Sequence, residues 1–216
     1  MDKIERAISK VLEPKLAEYG FKLIKKRHKF VRFTDYGFDE FMVINKGRVD
    51  VGFLGIECGP GIRHDKIQSI YSSLDSTVYG NDSNKEFSTL VMRYPFYSWG
   101  KPFEYMKLYS ASADDIANMA EDISRVFSEH ARPFYQRFSQ LSEVEELLNK
   151  EPMADISPYS GGFFPEHRVA ISLLCAKAVN PARYDLVKEA FVKKDQGAWP
   201  REKRMEILRK IDEMQV

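Results

Sequence analysis

Apolar side chains recur at Ile4, Ile8, Val11, Leu12, Leu16 and Tyr19, the spacing of one face of a helix. Asp2 stands where an N-cap belongs and Gly20 where a left-handed stop belongs, so the first helix should fill the interval between them. Pro14 falls inside it; its missing amide and its ring predict a kink or a restart near Glu13.

Beyond Gly20 the period shortens. "FKLIKKRHKFVRF" reads as one strand, and "EFMVIN" and "RVDVGFLGIE" as two more. Val49, Val51 and Phe53 alternate with Arg48, Asp50 and Gly52, a strand with one wet face, whereas residues 41–44 are apolar throughout and suit a central position. Lys46-Gly47 predicts a hairpin between the second and third strands. "GIECGPG" then predicts a turn, followed by a short helix on Ile67, Ile70, Tyr71 and Leu74. "FSTLVMRY" and "YMKLY" read as two last strands.

From Ser112 onward the pattern is helical. Ile116, Met119, Ala120, Ile123, Val126 and Phe127 form an apolar stripe that Pro133 should interrupt, and "SEVEELLNK" should form a short helix capped by Ser142 with Glu145 closing a capping box. Residues 151–167 are rich in Pro, Gly and Ser and read as a boundary; helices are expected over 167–179, 181–194 and 200–214, the first apolar nearly all round and so buried. Strands followed by helices, without βαβ alternation, indicate an α+β fold: a mainly antiparallel sheet of about five strands packed by helices, with a C-terminal group of helices. The division expected is an α+β domain over 1–150 and a helical extension over 151–216, packed on it or continuous with it.

Charge changes this picture little. Thirty-three basic and thirty-two acidic residues leave a net +1, so binding to a polyanion or an anionic membrane requires a local patch. The N-terminus lacks the pattern of a signal peptide, no apolar run is long enough to span a bilayer, and two distant cysteines suggest neither a disulfide framework nor a zinc pattern. A cytoplasmic protein without metal or cofactor and without a membrane partner is expected.

Two stretches are candidate surfaces. "RYPFYSWGKPFEYMKLY" (93–109) sets Tyr94, Phe96, Tyr97, Trp99, Phe103, Tyr105 and Tyr109 among Arg93, Lys101 and Lys107; rings of this kind stack on ligands, and they equally cap the edge of a core. Binding is assigned to Arg93, Tyr97, Trp99, Lys101 and Tyr105. The second stretch, with Lys25, Arg27 and Lys29 at its centre, has no acidic residue between Lys22 and Arg32; it suits a phosphate backbone or an acidic partner, and lysines also guard exposed strand edges. His28, His64, His130 and His167 show no metal-ligand spacing. Cys58 and His64 are the chemically reactive pair an enzyme of hydrolase type would draw on, provided the fold brings them within hydrogen-bond reach.

The order of Pro14-x-Leu16, Gly20-Phe21, Phe30-x-Arg32, "ARPFYQRF" (131–138) and "LLCAKAVNPARYDLV" (173–187) resembles a broad set of bacterial α+β domains of unknown function, some of them similar to immunity proteins of polymorphic toxin systems. That resemblance implies a non-enzymatic protein that binds and blocks a protein partner, and it assigns no functional residue. A module for RNA or single-stranded nucleic acid is the alternative, and a hydrolase-like enzyme the third.

Overall fold

The structure is a computed structural model that describes residues 2–25, 29–50, 52–74, 88–96, 105–152, 154, 156–160, 165–193 and 201–214. It is α+β, and its chain forms two compact units, each made of two segments: Met1–Gly61 with Met92–Gln136, and Ile62–Val91 with Arg137–Val216. These divisions fall at 61, 91 and 136 and not at the boundary expected near 150.

The first unit begins with α1 (Lys3–Ala17). Asp2 accepts from the Glu5 amide and Glu5 reaches back to the Asp2 amide, a complete capping box. The helix runs unbroken through Pro14 to Ala17. Ile8, Leu12 and Leu16 form one buried line that spans the proline, so packing holds the turns on both sides of it to the same surface. Gly20 takes φ +84°, as a left-handed stop requires.

The stretch read as one strand is two, β1 (Lys22–Ile24) and β2 (Lys29–Phe33), paired antiparallel with Leu23 opposite Phe30. Next, β2 pairs antiparallel with β3 (Gly37–Asp50), Phe30 opposite Phe41. No reversal occurs at Lys46-Gly47. Gly47 adopts φ +78° within β3 and its amide donates to the Asn45 side chain at 2.9 Å, a local kink that leaves the strand running on. After β4 (Phe53–His64) comes, much later in the chain, β6 (Met106–Leu108), which pairs antiparallel with β4, Gly55 opposite Lys107. Among the described residues the strands of this unit follow the order β1-β2-β3-β4, with β6 pairing β4.

"GIECGPG" is not a turn but the middle of β4. Gly59 explains it: a Cβ there would stand 2.1 Å from the Met92 carbonyl oxygen, so only glycine lets the neighbouring backbone approach.

α3 (Ala113–Val126) is capped by Ser112, which accepts from the Asp115 amide, and it buries the stripe Ile116, Met119, Ala120, Ile123, Val126. The helical path is not broken before Pro133. It widens into a π turn over Phe127–Ala131 and continues as α4 (Arg132–Phe138). A proline ring crowds the carbonyl four residues back, here Glu129, which lies in the widened turn. Phe127 is the hub of the core, with ring centroids 5.2 Å from Tyr19, 5.4 Å from Phe21 and 5.2 Å from Phe41.

In the second unit the end of β4, β5 (Leu90–Met92) and β7 (Tyr159–Ser160) lie in that order. α2 (Asp65–Leu74) follows β4 directly. α5 (Leu141–Asn149) starts one residue before the expected cap: Gln140 holds the N-cap position without a side-chain bond, and Glu145 is buried against Asn149 and Arg183. α6 (Pro165–Val179), α7 (Pro181–Lys193) and α8 (Arg201–Glu213) are the three expected helices. Val169 to Ala176 are buried without interruption, the polar Ser172 included, as the nearly all-round apolar pattern of α6 requires. β7 places a short strand in the stretch read only as loop.

Candidate functional site

α3 carries Met119, Asp122 and Val126 at steps of three and four, so they share one face, and the π turn adds Glu129 and His130 to it. Opposite stand Met106 and Lys107 of β6 and Tyr94, which joins β4 through an isolated antiparallel bridge to Cys58. With Arg125, these residues line a groove of about 340 Å³ within the first unit.

Met106, Met119 and Val126 supply the groove's apolar lining. Met106 Sδ lies 3.9 Å from Cys58 Sγ, and burial, with the charge of Glu57 adding to it, pushes the Cys58 thiol far up, so it is a packed neutral thiol and not a nucleophile. At one end the His130 ring stacks on Tyr94 at 5.7 Å and 19° between planes, and meets Phe96 edge-on at 4.9 Å. The walls carry charge of both signs. Arg125 bonds Asp122 at 3.1 Å, His130 stands 4.0 Å from Glu129, and the Lys107 ammonium sits over the Phe53 ring at 5.2 Å.

The assigned binding residues fare unequally. Arg93 places its guanidinium 3.6 Å from the buried Glu57 carboxylate, which Lys46 approaches at 3.6 Å from its other oxygen. Tyr105 is half-buried just before β6 and Lys25 is exposed after β1. Lys29 is buried and ion-paired with Glu40. Tyr97, Trp99, Lys101 and Arg27 lie outside the described residues, as does His28.

Cys58 and His64 are not brought together as a nucleophile and base. Both lie on β4, six positions apart along one extended strand. The His64 ring nitrogen Nε2 lies 2.8 Å from the Phe138 carbonyl oxygen and its amide donates to Thr89 at 2.9 Å, so it is a satisfied buried histidine.

The sequence reading gave no site role to Asp122, Arg125 or Glu129 and weighed His130 only for metal-ligand spacing. The available signal was their register with Met119 and Val126. Among the described residues no group of three or more His, Cys, Asp or Glu side chains is placed to hold a metal, and no helix is long and apolar enough to cross a membrane.

No family model, no curated protein and no solved structure matches the chain.

Proposed function

We propose that this protein is a cytoplasmic, non-enzymatic binding protein of the immunity type that its sequence resemblance implies, and that the groove between β6 and α3 is where it takes hold of its protein partner. The observation that carries the reading is the groove's composition: Met106, Met119 and Val126 with the rings of Tyr94 and His130, alongside Lys107, Arg125, Asp122 and Glu129. Such a site suits an apolar anchor inside a polar rim, the arrangement of a protein interface hot spot. A nucleic-acid strand would meet two carboxylates for two permanent cations there, with no net attraction.

The basic stretch supports the nucleic-acid alternative less than its sequence suggests. Lys29 is spent on Glu40, and Arg32 on Asp39 through two bonds of 3.0 and 2.6 Å.

The test is recovery of the partner from a native lysate with the full chain, then calorimetry of the purified partner against wild type and a Lys107→Glu/Arg125→Glu variant. Affinity at least about tenfold weaker, with an unchanged melting temperature, supports recognition at the groove. Equal affinity places recognition elsewhere.

A further inference from the structure

Resting on that protein-binding reading, we propose that the groove receives an extended segment of the partner that adds as an antiparallel strand to the edge of β6 that no described residue pairs, with an acidic residue opposite Lys107 and apolar residues directed into the groove.

Among the described residues β6 pairs with β4 alone. In an antiparallel ladder the residues of a strand alternate between bonding one neighbour and the other. Whichever way Lys107 bonds Gly55, the far edge of this three-residue strand therefore presents the N–H and C=O of Lys107 or of both its neighbours. Met106 and Lys107 of this strand line the groove together with the Met119, Asp122, Val126 face of α3. Strand addition uses a sheet edge with unpaired main-chain groups: main-chain bonds supply affinity and alternate side chains supply specificity.

Charge selects the occupant. Among the described residues the Lys107 ammonium has no carboxylate partner; it is exposed and rests on Phe53. A second copy of this chain, paired symmetrically along all three residues of β6, would set Lys107 against Lys107, and like charges directly opposite one another destabilise a ladder. The same lysine discourages indiscriminate edge pairing. An acidic residue on the incoming strand turns that repulsion into a cross-strand pair. Its two sequence neighbours point to the other face, toward Met106, Met119 and Val126, and so should be apolar.

The experiment is selection of random linear dodecapeptides displayed on phage against the full chain, followed by calorimetry of the recovered peptides with single backbone N-methyl groups walked along them. Recovered peptides should share an apolar-acidic-apolar core. N-methylation at alternate positions should weaken binding about tenfold or more, intervening positions should tolerate it, and Lys107→Glu should weaken binding likewise while leaving the melting temperature unchanged. If N-methylation is harmless everywhere but Met119→Ala abolishes binding, strand addition is wrong and the groove remains a recognition site. If no peptide is enriched, the extended-segment proposal falls. If, in addition, the natural partner ignores Lys107→Glu/Arg125→Glu, the groove reading falls with it.

Discussion

Lys29 on β2 and Glu40 on β3 form an ion pair with both side chains buried, the ammonium lying 5.4 Å from the centroid of the Phe38 ring. Their backbones are diagonal neighbours, since Lys29 faces Met42 and Val31 faces Glu40. A buried pair of this sort stabilises little against an apolar substitute, yet losing one partner leaves the other charged and dry. Lys29→Met should therefore cost about 3–5 kcal/mol at neutral pH, and Lys29→Met with Glu40→Leu should recover most of it. Denaturant titration of the two single variants and the double variant checks the cycle; equal losses in the Lys29 variant and the double variant would show that the pair is not the source.

Arg32 does three things at once: its guanidinium grips Asp39 by two bonds, lies 5.0 Å from the centroid of the Phe21 ring and 5.6 Å from that of Tyr135, and donates to the Tyr19 carbonyl at 3.3 Å. Lysine keeps the charge but has neither the planar fork nor the stacking face. Arg32→Lys should destabilise by roughly 1.5–3 kcal/mol, the range for a lost hydrogen bond to a charged group, with near-ultraviolet circular dichroism reporting the disturbed rings. An unchanged denaturation midpoint would mean that charge alone suffices.

These two cations show why the fold was more legible than the site. The α+β class, the C-terminal helices and the Asp2 cap follow from period, caps and proline positions, which are local. Lys29 and Arg32 read as surface charge because their acidic partners, Asp39 and Glu40, lie across a hairpin whose register the sequence does not display. Gly47 and Gly59 misled for a related reason: each looked like a turn, while one is a kink in β3 and the other admits a neighbouring carbonyl. Asp122, Glu129 and His130 became a site only through β6, a strand that is close in space and distant along the helix period.

Gly59→Ala tests the close approach directly. The added carbon would stand 2.1 Å from the Met92 oxygen and 3.0 Å from its carbonyl carbon, both backbone atoms that move only with their strand. A loss of about 3 kcal/mol or more is expected, at the upper end for overpacking, together with a disturbed Cys58–Tyr94 bridge seen as faster exchange of the two amides that form it. A variant as stable as the parent would show that the strands can part at no cost.

The two buried free cysteines should weaken the fold at alkaline pH. Burial, reinforced by Glu57 for Cys58 and by Glu145 for Cys175, raises each thiol far above the ordinary 9.0. In the folded chain both stay protonated where unfolded thiols ionise, so the unfolded state binds fewer protons and stability falls as pH rises. The contribution is complete below about pH 8.5 and declines by about 1.4 kcal/mol per pH unit per thiol above it, Cys58 acting on the first unit and Cys175 on the second. Above pH 10 Tyr135 adds to the decline in the first unit, since burial, with Asp39 and Glu40 nearby, keeps its hydroxyl from ionising. Denaturant midpoints from pH 7 to 10 should drop in the parent and hold nearly level up to pH 9.5 in Cys58→Ala/Cys175→Ala, and a thiol reagent at pH 8 should label neither cysteine until the chain unfolds. Rapid labelling of the folded chain, or a parallel drop in the variant, would place the alkaline transition on other groups.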